Sequence, residues 1–319
     1  MIIRDFEPRH IEEATGIALE GYNHEGTFTQ DLPQISSIPM LNQLSENGLG
    51  VAAFEGEKMI GFLCSVEPFE NAFRSTDVQG VFSPMGANGA VAENHGKIYA
   101  ALYQAAAKKW VKAGAVSHAI CLYGHDGEAK QQLFRYGFGM RCMDAIRPME
   151  TIDCAPCDGY EFLELQGADH AYVYPLHLAL NEHYCSSPFF MNRKPDTQEE
   201  FLSFSERKKE RYFVAKKDGE LCAYMEVSDE GETFVATGDV YRHIMGAYCL
   251  PEHRGRGVYQ NLLNFVINTL KTEGYTKLGV DFESINPSGS GFWLKYFNAY
   301  TNSVVRRIDE RIIQRASLV

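Results

Sequence analysis

The chain has 319 residues, 45% of them hydrophobic, enough for two ordinary domains with cores of their own. A net charge of −12 argues against a general nucleic-acid binder, so an anionic ligand needs a local cationic feature to hold it. No run of about 18 apolar residues occurs, so no membrane span is expected. The opening MIIRDFEPRH mixes acids and bases, unlike a signal or transit peptide, and a cytoplasmic location is the expectation.

Taken in order, residues 1–5 read as a strand and the stretch from His10 as a helix. GVAAFEGEKMIGFLCSV reads as a hairpin around EGEK. Residues 97–115 read as a helix with Ile98, Leu102, Ala105, Ala106 and Trp110 on one face and Gly114 as its stop. A strand, AVSHAICLY, and a second helix, EAKQQLFRYG, follow. The same order then returns: a strand from Tyr160, a helix from Asp169, a hairpin around KKDGE, and the strand YRHIMGAYCL. After these come a helix from Gly257, the strand TKLGVDFES and a helix opening GSGFWLKYF. A shift of 160 residues brings Tyr99 onto Tyr259, Leu102 onto Leu262, Gly114 onto Gly274 and Tyr136 onto Tyr296. Two copies of one domain are therefore expected, 1–150 and 151–319, joined near 150–159. Each is a mixed α/β sheet with helices on its faces, because a hairpin precedes a strand–helix–strand crossover.

The eight cysteines are expected as thiols. Cys154 and Cys157, in CAPC, have metal or redox spacing. No second CxxC, histidine pair or thioredoxin-like pattern accompanies them, so they read as linker and no metal is expected.

The most informative stretch is PEHRGRGVYQNLL, 251–263. The first N–H groups of a helix lack internal partners and point the positive end of the dipole outward. Glycine lets backbone approach an anion without a Cβ in the way. Gly255 and Gly257 supply the turn, and Arg254 and Arg256 the charge, at the mouth of a helix fed by a buried strand. An ordinary exposed turn is the competing reading. A P-loop is excluded because no GKS or GKT is present. A Rossmann fingerprint fits poorly, since the motif follows an antiparallel hairpin and Glu273 precedes its strand.

With this corner and the element order together, the chain resembles the GNAT superfamily of acyl-CoA-dependent N-acyltransferases, which carries Q/R-x-x-G-x-G/A between its fourth strand and third helix. Arg254, Gly255, Arg256, Gly257, Val258 and Tyr259 match it, with Tyr259 replacing the usual small residue. Asn286, after the strand VDFES, matches a second family position. The resemblance implies two tandem GNAT-like domains, the C-terminal one using acetyl-CoA as co-substrate. It assigns the pyrophosphate to 254–259, further coenzyme contacts to Asn286, and main-chain contacts to Cys249 and Leu250. In the first copy only Gly96 and one lysine remain of the corner. Asp126 stands where Asn286 falls, and an acid there would repel phosphate, so this domain is expected to bind coenzyme A poorly or not at all.

The family chemistry needs a base for the attacking amine and an acid for the leaving thiolate. Strand alternation puts Asp281 and Glu283 on one face near Asn286. Glu283 is the preferred base and Asp281 the alternative, against the reading that both are merely solvated. The family's usual acid position holds Trp293. Tyr296, one turn on, is the substitute and Tyr259 a second candidate, although Tyr296 could equally pack on Phe292 and Phe297. His183, Tyr184 and Phe189 are expected walls of the acceptor pocket. Cys249 reads as packing in preference to a nucleophile.

The expected activity is transfer of an acetyl group from acetyl-CoA to a primary amine of a small molecule, by direct attack in a ternary complex. The alternative is a non-catalytic acyl-CoA-binding or sensing module. Transfer from aminoacyl-tRNA, as in Fem-type relatives, is disfavoured by the charge. No nucleic-acid or membrane partner is expected; a shared sheet edge is one route to a homodimer.

Overall fold

The computed structural model describes residues 1–74 and 76–316. It forms two compact units. Unit 1 takes 1–143, 283–285 and the chain from 299 onward; unit 2 takes 144–282 and 286–298.

Unit 1 begins with β1 (Ile2–Asp5), α1 (Ile11–Gly26) and α2 (Leu41–Glu46). The hairpin of β2 (Val51–Glu55) and β3 (Lys58–Leu63) turns at Gly56, whose φ of 62° suits a residue without a Cβ. Next come β4 (Gly80–Ser83), β5 (Asn88–Ala90), α3 (His95–Lys112), β6 (Ser117–Tyr123), α4 (Gly127–Arg135) and β7 (Gly139–Pro148). Strands β1, β2, β3 and β5 make one antiparallel sheet. The apolar stripe of α3 (Ile98, Leu102, Ala106, Trp110) is buried with Val51, Leu63 and Ile120. The indole N–H of Trp110 is satisfied by the Leu49 carbonyl at 3.2 Å, which lets so large a polar-tipped side chain sit in the core.

Unit 2 contains β8 (Tyr160–Glu164), α5 (Tyr174–Cys185), α6 (Gln198–Lys208), β9 (Arg211–Lys217), β10 (Glu220–Ser228), β11 (Tyr241–Cys249), α7 (Val258–Thr272), β12 (Lys277–Glu283) and α8 (Pro287–Tyr296). Its strands lie in the order β8-β9-β10-β11-β12, antiparallel except for β11 with β12. One face packs Tyr212, Tyr224 and Tyr248 against Leu176 of α5 and Phe201 of α6. The amphipathic α7 buries Val258, Leu262, Val266 and Leu270. The coil 149–159, which holds Cys154 and Cys157, is tied to α7: Asn264 bonds both the N–H and the C=O of Ile152 at 3.1 Å, and Asn261 bonds the Ala155 carbonyl at 2.9 Å.

The chain then returns to unit 1. After β13 (Asn298–Ala299), β14 (Thr301–Arg307) pairs antiparallel with both β6 and β7, and α9 (Ile312–Ala316) follows. Val304 of β14 is wholly buried in the unit 1 core. The compact units thus differ from the contiguous halves 1–150 and 151–319, because the slot beside β6 is filled by a strand from the far end of the sequence.

The repeat extends to the caps. Asp126 accepts the N–H of Ala129 and Asn286 that of Gly289, each at 3.0 Å. Gly114 and Gly274, with φ of 94° and 97°, end α3 and α7. No described helix is long and apolar enough to cross a membrane.

Candidate functional site

Strands β11 and β12 pair in parallel only from Tyr241 to Ile244. At that point the register of β11 against β10 slips: Val227 faces Ile244 but Glu226 faces Gly246, which leaves Met245 unopposed. This is a bulge, and it bends the strand. Beyond it β11 stays with β10. The Leu250 N–H donates to the Cys222 carbonyl at 2.9 Å, so by alternation Ala247 and Cys249 turn their N–H and C=O groups away from β10. Of the two main-chain positions expected to meet a ligand, Leu250 is therefore already bonded within the sheet and Cys249 lies on the free side, with Ala247.

The strand runs into the glycine–arginine corner. Gly255 and Gly257 have φ of 71° and 81°, the left-handed region the turn demands. A Cβ at Gly255 would meet open space, and one at Gly257 only the Asn261 amide at 3.7 Å. Gly257 is the N-cap of α7, and no side chain caps the helix. Its first amides are thus available to an anion. Arg256 is exposed, and its carbonyl accepts the Cys157 thiol at 3.4 Å. Arg254 is folded back: its Nε donates to the Cys249 carbonyl at 2.8 Å, and its guanidinium lies over the Tyr248 ring. Val258 is buried and anchors the first turn. Tyr259 reaches across to bond the Tyr224 carbonyl at 3.1 Å and packs edge-on against Phe292 and Trp293. Burial raises its hydroxyl well above the usual tyrosine range, so it is a weak acid, and its proton is committed to the Tyr224 carbonyl.

His183, Tyr184 and Phe189 do come together. Their rings lie within 6.0 Å of one another, and His183 also approaches Tyr248 at 6.1 Å. His183 is hydrogen-bonded to Asn286; burial and then Arg254 hold its imidazole below the ordinary value, hence neutral. Asn286 itself is the N-cap of α8, accepting from Gly289 and from the Ser288 hydroxyl at 2.9 Å.

The expected acid–base residues sit differently. Asp281 accepts from His243 Nε2 at 3.0 Å, and His243 in turn meets the Tyr241 hydroxyl at 2.6 Å. Glu283 is nearly buried and paired with Arg141 at 2.8 Å, in unit 1. Both carboxylates are engaged structurally. Tyr296 is half-buried against Phe292, and Trp293 is buried. The Cys249 thiol is pushed up to about 12, chiefly by burial, which makes it a poor nucleophile.

One carboxyl escaped sequence reading. Glu226 stands at the bulge, cross-strand from Gly246 on one side and Tyr212 on the other. A Cβ at Gly246 would overlap its carboxylate, so glycine there makes the room. Burial, reinforced by Glu210, raises Glu226 to about 8. The sequence signal was present in AYMEVS: alternation puts Glu226 on the same face as Tyr224, an acid on a core face.

Unit 1 lacks an equivalent corner. At the start of α3, His95 Nε2 is paired with Asp126 at 2.8 Å, and the Gly96 N–H meets Glu128 at 3.4 Å. Acids thus occupy the first turn of α3, where α7 has no side-chain cap.

Residues 178–297 match the family model described as Acetyltransferase (GNAT) family. The chain therefore carries a GNAT acetyltransferase domain. The fold of the whole chain is similar to that of a GCN5-related N-acetyltransferase from Sphaerobacter thermophilus, with a TM-score of 0.60 at 14% identity, covering 96% of this chain and 95% of that one. It is also similar to the glucosamine N-acetyltransferase region of a fungal multi-domain GH3 β-N-acetylglucosaminidase, with a TM-score of 0.56 at 13% identity, over 95% of this chain and 38% of that one. No curated protein matches the chain.

Proposed function

We propose that unit 2 transfers an acetyl group from acetyl-CoA to a primary amine of a small molecule, by direct attack in a ternary complex. The observation that carries this is the uncapped glycine turn into α7, at the end of a strand that leaves its parallel neighbour after Ile244. In this reading the amides of Val258 and Tyr259, with Arg256, hold the pyrophosphate. Asn286 borders the phosphate–pantetheine path, and the main-chain groups of Ala247 with the Cys249 N–H align the pantetheine. His183, Tyr184 and Phe189 wall the acceptor. Glu226 accepts the proton of the amine as the N–C bond forms, a role that suits a carboxyl raised to about 8 and not held by a cation among the described residues. As the C–S bond breaks, Tyr296 donates a proton to the thiolate.

Calorimetric titration of acetyl-CoA into the wild type and Gly257→Glu tests the first part. The substitution strains a left-handed position and sets a carboxylate against the phosphates, so binding should weaken at least about a hundredfold, ~2.7 kcal/mol. Equal binding by both proteins would refute the assignment of the coenzyme site. An amine panel then tests transfer, and it should include glucosamine, because the fungal region is named for that acceptor.

The buried Trp293 at the family's usual acid position favours a second reading, acyl-CoA binding without transfer. Tight acetyl-CoA binding with no turnover across the panel is its signature.

A further inference from the structure

Unit 1 holds a polar constellation that acyl transfer in unit 2 does not use. Glu25, in the last turn of α1, is 1% exposed. Its Oε2 accepts the main-chain N–H of His125 at 2.9 Å, its Oε1 accepts His125 Nδ1 at 2.8 Å, and the Thr29 hydroxyl adds a contact at 3.4 Å. A buried carboxylate needs such donors. A carboxylate oxygen accepts, so Nδ1 carries the proton of this contact and Nε2 is left for another partner. The Phe28 ring lies flat on the imidazole, with centroids 4.1 Å apart and planes at 10°, so the ring is held on two sides. The side chain of His125 is still 42% exposed, and among the described residues Nε2 has no protein partner.

His125 lines a pocket of about 440 Å³ together with Lys130, Phe134, Met140 and Met143. Lys130 is half-buried, and its ammonium has no acidic partner among the described residues. Glu25 is the charged partner of the imidazole, and Asp126, next in sequence, is already paired with His95. The pocket therefore offers a cation that needs an oxygen, a ring nitrogen that can share a proton, and an apolar wall.

We propose that this pocket is a binding site for a small apolar carboxylic acid, separate from the coenzyme site. One carboxyl oxygen pairs with Lys130 Nζ. The other shares a single proton with His125 Nε2, and the hydrocarbon body lies along Phe134, Met140 and Met143. An amine would be repelled by Lys130, and an alcohol could satisfy only one of the two polar groups. The proposal is independent of the acyl-transfer reading.

The test is calorimetric titration of hexanoate, hexanol and hexylamine into the full chain. Hexanoate should bind, and hexanol and hexylamine at least about tenfold more weakly. Lys130→Met should weaken hexanoate about tenfold or more while leaving thermal unfolding unchanged. His125→Phe should weaken it by a similar factor. If that variant fails to fold, Lys130→Met decides, because it leaves the Glu25 network in place. Hexanol binding as tightly as hexanoate, unchanged affinity in Lys130→Met, or no hexanoate binding at millimolar concentration would each overturn the proposal.

Discussion

Glu226 shares a strand face with Tyr224 and Ser228, and burial holds its proton to about pH 8. Between an ordinary 4.5 and about 8 the unfolded chain releases this proton while the folded one keeps it. Stability from this residue is therefore present at acid pH and lost as pH rises through that window. Glu226→Gln should flatten the slope, seen as a melting temperature that rises relative to wild type at about pH 8. It should also lower kcat at least about a hundredfold with little change in acetyl-CoA affinity. A variant with wild-type turnover would remove Glu226 from the mechanism. Cys249→Ala should keep activity within about twofold, since a thiol raised to about 12 has little thiolate to offer. At this scale the sequence was a partial guide. The glycine–arginine corner was legible because its chemistry is local. For Asp281 and Glu283 alternation gives the face, and it cannot give the partner waiting there: His243 comes from β11 and Arg141 from β7.

The elements were more readily legible. The helix before Gly114, the helix from Gly257 and both hairpins follow from apolar periodicity and glycine stops. The bulge at Met245 was not, because it depends on how β11 meets β10. Nor was the tie between α7 and the coil 149–159. Asn264 satisfies both main-chain groups of Ile152, which otherwise have only water to turn to. Asn264→Ala should cost about 1–2 kcal/mol and speed proteolysis within 149–159, measured by limited digestion. Unchanged digestion would mean that other contacts hold the coil.

For the whole molecule, the sequence repeat was visible as a shift of 160 residues, but the ownership of β14 was not. A strand's sheet partners are set by long-range geometry, and here β14 lies between β6 and β7, more than 150 residues earlier in the chain. A fragment of 1–150 lacks this strand and exposes the edge of β6. It should be insoluble or molten when expressed alone, and a peptide spanning 299–316 should increase its helical signal and sharpen its melting. A stable, cooperatively melting 1–150 fragment would show that β14 is dispensable to unit 1.

The position of β14 also bears on synthesis. Most of unit 1 emerges from the ribosome before unit 2, yet one of its core strands, β14, is made only after unit 2. The nascent N-terminal unit must wait with β6 unpaired along one edge while unit 2 is translated. Folding order is thereby inverted relative to the chain, and a translation product that stops short of Thr301 leaves both the edge of β6 and its core open. Such a product displays its own incompleteness to the cell's chaperones and proteases.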